Sequence, residues 1–449
     1  EDIRKLNQDF DLMVDLVINH ISSQSEWFKN YLKGRSPGKD FFIEMDPETD
    51  LSGVTRPRST PVLTPFHTDR GVKHIWTTFS DDQIDLDFSN PRVLYEMLSI
   101  LFHYIRQGAR IIRLDAIAYL WKEKGTPCIH LPQTHRVVKL IRELAELIHP
   151  DTIILTETNV PDRENLSYFG EKWDEAHMIY QFPLPTLLLY TLHRGNAEKL
   201  TSWALTIPET DDDATFFNFT ASHDGIGVRP AEGILSQKEL HNLLGKMKDF
   251  GGYISTKSNR DGSESPYEIN ISWFEALKGT DKGQDQFQSE RLICSQTIMM
   301  SLKGIPAFYI HSLTATENDH EGVQQTGKSR SINRKSWDYN ELTDRLENED
   351  HPAHSIFHEL KRLIGIRINQ PAFHPNAKQS IINLGGEFFA LRRTHESGHN
   401  IWCISNITDR QQELNPSGAN IPVSASLNDL IGNRPYQPGK KITLAPYQT

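Results

Sequence analysis

Residues 109 to 119 read ARIIRLDAIAY. The run is apolar apart from Arg110, Arg113 and Asp115, and its β-branched residues suit a strand. Successive side chains of a strand face opposite ways, so Arg113 and Asp115, two apart, project from one face. An Arg and an Asp facing one way at the carboxyl end of a strand form either a core ion pair or part of a site. Upstream, residues 91–105 carry apolar side chains at helical spacing, and residues 135–148 do so downstream. The stretch therefore reads as the strand of a repeated βα unit.

The same alternation runs through the first three quarters of the chain. Strands are expected over 12–18, 109–115, 152–156, 176–181, 216–222 and 305–310, with helices over 91–105, 135–148, 185–193, 237–248, 287–302 and 353–368. Apolar strands alternating with amphipathic helices signal a parallel sheet in an α/β fold. A closed (β/α)8 TIM barrel has eight such strands over about 250 residues. Six are visible, and the chain opens on Glu1 rather than Met, so the first two βα units are expected upstream. The segment 21–90, rich in Pro, Asp, Thr and Ser, is too long for an ordinary turn and reads as a subdomain inserted over the barrel mouth. Residues 257–280 read as a smaller insertion. From about Pro375 the pattern turns to period two, as in SIINLGGEFFALRR and NIWCISNIT, the mark of an antiparallel β domain. The expected organisation is a barrel over 1–374, with those two insertions, and a C-terminal β domain over 375–449.

Composition excludes several classes. Among 449 residues, 48 basic and 59 acidic side chains leave 48 − 59 = −11, and a pI near 6.0 argues against a nucleic-acid partner, whose phosphates call for clustered Lys and Arg. Mean hydropathy is −0.51 and no apolar run approaches the ~20 residues that span a bilayer, so no membrane partner is expected. Aromatic residues make up 9% of the chain, apolar area enough to exclude disorder. Cys128, Cys294 and Cys403 fit no metal spacing and read as reduced thiols, which points to a cytoplasmic location.

Charged residues gather where apolar strands end. A cation beside Asp115 keeps it ionised, as a nucleophile requires. Glu157 follows TIILT; alone it reads as a solvated strand end, but opposite an ionised Asp, in a less polar pocket, it keeps its proton and acts as a general acid. The pair has the chemistry of a retaining glycosidase-type displacement. DLVINH ends in Asn19 and His20, and NFTASHDGIG holds His223 and Asp224. Each His alone reads more readily as a structural histidine than as a ligand contact; together the two clusters supply donors and a further carboxylate, which a hydroxyl-rich ligand needs. Gly225 and Gly227 keep side chains out of the following loop. No Cys/His metal spacing, phosphate loop or dinucleotide fingerprint occurs, and no metal is assigned.

The order DLVINH, RLDA, TE, SHD resembles the four short motifs of glycoside hydrolase family 13, the α-amylase superfamily, over about residues 11 to 334. The resemblance implies Asp115 as nucleophile, Glu157 as general acid/base and Asp224 as transition-state stabiliser, with Arg113, His20 and His223 lining the glucosyl subsite. It implies a (β/α)8 barrel with a domain inserted after the third strand, and makes the first visible strand the third of eight. SSQSEWF, WTTFSDDQIDLDFSNP, SHDGIGVRPAEG, PYEINISWFEAL and GIPAFYIHSLTATENDHEGVQQTGKSRSINR are similar to the sucrose phosphorylase subfamily, whose INR motif assigns Arg334 to the sugar subsite. WKEKGTPCIHLPQTH and TETNVP are most similar to its glucosylglycerate phosphorylases.

The resemblance implies reversible phosphorolysis of an α-glucoside, best matched by 2-O-α-glucosylglycerate. Sucrose or glucosylglycerol phosphorolysis, and hydrolysis or transglucosylation by the same carboxylates, are the alternatives; a non-catalytic binding module is a remote one. The partners expected are a small sugar substrate and inorganic phosphate as co-substrate, with no other cofactor. Phosphate beside two carboxylates needs local positive charge, expected from Lys328 and Arg330, or from Lys257 and Arg260, against the alternative that these are solvated loop charges.

Overall fold

The structure is a computed structural model and describes residues 2–259, 263–422, 427–436 and 439–449. Contacts divide the chain into two compact units, one of Glu1–Tyr180 with Thr256–Tyr267 and one of Gln181–Ser255 with Glu268–Thr449.

In the first unit four parallel strands lie side by side: β1 (Leu12–Val17), β2 (Ala109–Asp115), β3 (Ile153–Thr156) and β4 (Met178–Tyr180). The register brings their carboxyl ends level, Val17 opposite Asp115 and Leu114 opposite Thr156. Helices α1 (Pro91–Arg106) and α2 (Pro132–Ile148) begin on Pro, which lacks the N–H that a first turn leaves unpaired. Val93, Met97, Leu101 and Ile105 form the buried stripe of α1, the helical spacing visible in the sequence. Between α1 and β2 the chain turns at Gly108, whose φ is 100°. That φ lies in the region that L side chains rarely adopt, which is why glycine stands at the turn; a Cβ there would also displace the exposed Asn7 side chain, whose nitrogen lies 2.5 Å from its position.

Residues 21–90 hold helix Glu26–Leu32, hairpin Leu63–Thr68 with Gly71–Trp76, and the short ladder His20–Ser22 with Gln83–Asp85. Phe28 packs edge-on against Phe42 and Phe66 and stacks on Tyr31. Trp76, Val62 and Cys128 form a further small core.

The second unit pairs β5 (Thr215–Phe219) in parallel with β6 (Ile305–Ala307). Helix α3 (Pro183–Arg194) is buried from Pro183 through His193, as its sequence PLPTLLLYTLH requires of a helix apolar all round. Around it pack α4 (Gln237–Asp249), opened by a Ser236/Glu239 capping box, and α5 (Gln288–Ser301) and α6 (Pro352–Ile368). Strands Lys378–Ile382, Phe388–Thr394 and Asn400–Asn406 make an antiparallel sheet. Within it Arg393 is fully buried, its guanidinium donating to the carbonyls of Ser301, His374 and Ala377.

All six expected strands are present, each within a few residues of its expected bounds. The strand expected over 216–222 stops at Phe219. Ser222 Oγ accepts the Asp224 N–H at 3.1 Å, a side-chain turn that takes the backbone out of the ladder. The strand expected over 305–310 stops at Ala307 because Ile310–Leu313 closes a helical turn. Among the described residues no helix is long and apolar enough to cross a membrane, and the three cysteines are free thiols.

His193, at the end of α3, is buried and its ring nitrogen Nε2 donates to the Ala276 carbonyl at 2.8 Å. Burial pushes its pKa down to about 4, the Ala276 bond opposing. Above about pH 6.5 both folded and unfolded states are neutral there. Between about 6.5 and 4 only the unfolded chain takes up the proton, so stability falls as pH falls, by up to about 3 kcal/mol. Urea midpoints measured from pH 7 to pH 4.5 should show this loss, and His193→Gln should flatten it.

Candidate active site

The first unit brings Arg113, Asp115, Glu157 and His20 to the carboxyl ends of its strands. Arg113 is 7% exposed. Its Nη1 lies 2.7 Å from Asp115 Oδ1 and 2.7 Å from Asp15 Oδ1, and its Nε donates to the Tyr180 hydroxyl at 2.9 Å. Burial works against its charge, but Glu157, Tyr180, Asp115 and Asp15 together hold its pKa well above the ordinary arginine range. Burial pushes the Tyr180 hydroxyl up to about 12, against the pull of Arg113, so it remains a neutral acceptor.

Glu157 continues β3, its N–H bonded to the Leu114 carbonyl at 3.1 Å, and its Oε2 accepts the Ala116 N–H at 3.1 Å. Ala116 directly follows Asp115 and has φ 52°, in the left-handed region. A non-glycine residue there costs about 1–2 kcal/mol. The turn aims a backbone donor from the residue after one carboxylate at the other carboxylate. Behind Glu157, Thr158 Oγ1 donates to Asn165 Oδ1 at 2.6 Å, and Asn165 Nδ2 to the Tyr180 carbonyl at 2.8 Å, tying this loop to β4.

His20 is 5% exposed. Burial lowers its pKa, Asp85 and Asp115 oppose, and Lys122 adds to the lowering, so the ring is neutral at pH 7. Phe79 lies against it, ring centroids 5.3 Å apart, and Tyr119 meets Phe79 edge-on. The Arg58 guanidinium sits over the rings of Phe79 and Tyr267, 5.9 and 5.0 Å from their centroids.

In the second unit Asp224 and His223 follow β5. Asp224 Oδ1 lies 2.6 Å from Arg330 Nη1 and 3.4 Å from Arg334 Nη2, and His223 Nε2 is 3.5 Å from Oδ2. Arg334 Nε donates to the His223 carbonyl at 2.6 Å, and Asn333 Nδ2 to the carbonyls of Ser222 and Asp224. The INR segment is thus pinned to the SHD turn by both backbone and side chain. Arg330 also grips buried Glu268 through Nε and Nη2. Glu268 stands opposite Gly227 in a short antiparallel ladder. Gly225 makes that approach possible: a Cβ there would meet the Asn270 side-chain oxygen and the Glu268 Cβ at 2.9 Å.

Lys328 is exposed at the start of the turn holding Arg330. Lys257 lies half-buried in strand Tyr253–Ser258, and Arg260 lies outside the described residues. Sequence reasoning missed Asp15, Tyr180, Glu268 and Arg58. Asp15 carried the signal used elsewhere, a charge interrupting an apolar strand. Tyr180 was legible only as an apolar strand residue.

The Tyr180–Arg113 bond is one to a charged group, worth about 1.5–3 kcal/mol. Tyr180→Phe, which keeps the ring, should lower unfolding free energy by that amount in urea titrations, whereas an unchanged midpoint would show that the bond does not anchor Arg113.

Residues 3–224 match the model of the α-amylase catalytic domain. The chain is 42% identical over 449 residues to glucosylglycerate phosphorylase of Escherichia coli (strain K12), covering all of this chain and 79% of that one. It is 45% identical over 414 residues to the Spirochaeta thermophila protein of the same name, covering 92% and 70%. Sucrose phosphorylase of Streptococcus mutans is 25% identical over 416 residues, covering 89% and 81%. Among solved structures, sucrose 6F-phosphate phosphorylase from Thermoanaerobacter thermosaccharolyticum superposes with TM-score 0.77 at 23% identity, covering 99% and 85%, a likeness that shows the fold. The six parallel strands are accordingly those of a (β/α)8 barrel, and the chain belongs to the glucosylglycerate phosphorylase branch of glycoside hydrolase family 13, the α-amylase superfamily.

Proposed function

We propose that the protein is a retaining glycoside phosphorylase that converts 2-O-α-glucosylglycerate and phosphate, reversibly, into α-glucose 1-phosphate and glycerate. The observation that carries the mechanism is a pair of carboxylates at the ends of two adjacent strands, each fixed by its own donor. Asp115 shares the buried Arg113 cation, and Glu157 rests on a backbone N–H. The sequence relationship to glucosylglycerate phosphorylases supports the choice of substrate.

In the forward direction Asp115 attacks the anomeric carbon. The bond to the glycerate oxygen breaks as Glu157 transfers its proton to that oxygen, leaving a β-glucosyl ester on Asp115. A phosphate oxygen then attacks the same carbon, Glu157 recovers a proton from the incoming phosphate, and the ester bond breaks. Two inversions give net retention. Asp224, held between Arg330 and Arg334, is proposed as the stabiliser of the flattened, positively charged ring, and His20, His223, Arg113 and Arg334 as sugar-subsite residues. The positive charge that phosphate needs is proposed to come first from Arg58, backed by two aromatic rings, with Lys328 second. Arg330 is engaged by two carboxylates, so its loss should disturb Asp224 rather than phosphate. No metal enters these steps. The free thiols fit a cytoplasmic enzyme.

Full-length protein supplied with α-glucose 1-phosphate and, separately, glycerate, glycerol, fructose or fructose 6-phosphate should release phosphate fastest with glycerate. Fructose active and glycerate inert would sink the substrate assignment. With glucosylglycerate, glucose 1-phosphate should form only when phosphate is added, and free glucose forming at the same rate without it would identify a hydrolase. Arg58→Ala should raise the KM for phosphate tenfold or more and leave slow hydrolysis of an activated α-glucoside within twofold.

A further inference from the structure

Behind His20 lies a buried ion pair that the proposed reaction does not use. Lys122 Nζ is 2.6 Å from Asp85 Oδ2, with side-chain exposures of 2% and 0%. Lys122 also donates to Asn19 Oδ1 at 2.7 Å. Asp85, opposite His20 in the ladder of His20–Ser22 with Gln83–Asp85, accepts the Thr78 N–H at 2.8 Å, the Thr78 hydroxyl at 2.6 Å and Asn19 Nδ2 at 3.1 Å. Asn19 Nδ2 in turn lies 3.2 Å from His20 Nδ1.

We propose that the Lys122–Asp85 pair is a positioning device for the glucosyl subsite: acting through the Asn19 amide, it fixes which nitrogen of His20 carries the proton. An ammonium only donates and a carboxylate only accepts. Lys122 on one side and Asp85 on the other therefore leave the Asn19 amide a single orientation, oxygen toward Lys122 and nitrogen toward Asp85. The same amide nitrogen faces His20 Nδ1 and must donate to it, because it has no lone pair to offer. Nδ1 is then the acceptor of a neutral imidazole, and the ring proton sits on Nε2. Gln83 Nε2 stands 2.7 Å from His20 Nε2, and an amide nitrogen cannot accept the ring proton, so the Nε2–H tautomer requires the Gln83 amide turned over, its oxygen toward the ring, an exchange that leaves the shape of the side chain unchanged. Ser80 Oγ, 3.0 Å from Gln83 Oε1, both donates and accepts, so it serves the amide in either orientation and does not oppose the turn.

The consequence is directional. A His20 with Nε2–H presents a donor to an acceptor lone pair of a sugar hydroxyl or of Gln83, and the opposite tautomer would present a lone pair instead. The charged groups around His20 are Asp85, Asp115 and Lys122. Of these, Asp85 and Lys122 act on the tautomer through Asn19. The tautomer is inferred from the bonds that Lys122 and Asp85 make to Asn19, whereas its importance to the reaction rests on the proposed place of His20 in the sugar subsite.

Nitrogen-15 NMR of the full-length protein, with the His20 signals identified by their loss in His20→Gln, reads the tautomer directly. The expected spectrum has the proton on Nε2; a proton on Nδ1 overturns the proposal whatever the enzyme's substrate. The second arm is the charge-free double variant Lys122→Met with Asp85→Asn, which removes both constraints on Asn19 without leaving one buried charge unpaired. It should populate both tautomers of His20 and lower kcat/KM for α-glucose 1-phosphate at least tenfold, with KM rising. A folded double variant that keeps the Nε2–H tautomer alone overturns the proposal, as does one whose tautomer changes while kcat/KM stays within twofold. Should the double variant not fold, Asn19→Ala, which removes the amide that links the pair to His20 and leaves Lys122 and Asp85 together, is read by the same two measurements with the same outcomes. Failure to release phosphate with any acceptor would count against the proposed function and leave the tautomer reading to decide on its own.

Discussion

Arg113 holds the chemistry of the first unit together. Its single Nη1 stands 2.7 Å from two carboxylates on adjacent strands, and its Nε is spent on Tyr180 two strands further along. A buried guanidinium is costly to desolvate and becomes tolerable only when its donors are matched. The match here takes residues from β1, β2 and β4, so the cation can be satisfied only when those strands are in register. Losing one carboxylate would leave the buried cation short of a partner, at a cost softened by solvent because Asp15 and Asp115 are themselves partly exposed. The placement of Asp115 and the alignment of the strand ends thus depend on the same few hydrogen bonds.

The second unit solves a related problem with the opposite bias. Asp224 is flanked by two arginines, one of which is also held by Glu268. Two carboxylates and two guanidiniums make a compact, nearly neutral group in a protein whose formal charge is −11. Charge is arranged locally, by pairing across loops, and the net value says little about any one site.

The period of the apolar residues made the strands and helices legible, and the two-residue spacing of Arg113 and Asp115 put both on one face, as the shared hydrogen bond requires. What was not legible depends on partners far apart in sequence. Arg330 looks like a free loop cation until Glu268, 62 residues away, is brought under it. Lys122 looks like one of several charges in WKEKG, yet it is buried against Asp85 and Asn19. Arg58 sits in a Pro-rich stretch with no periodicity, and only the folded chain sets Phe79 and Tyr267 beneath it. In each case the side chain's identity was visible and its desolvation was not, because burial of a charge is a property of the tertiary contact. Strand ends were misjudged where a side chain competes for backbone groups, as Ser222 does.

Ala116 has an evolutionary consequence. The donor that holds Glu157 is a peptide N–H, aimed by a left-handed turn rather than by a side chain. No ordinary point substitution deletes it; only proline lacks the group, and proline's fixed φ near −65° is incompatible with 52° here. The anchor of the proposed acid/base is therefore insulated from side-chain drift, while bulky β-branched residues at 116 are disfavoured by sterics. Lineages that change the acceptor are free to rebuild the surrounding loops, because the support beneath this carboxylate is written in the backbone.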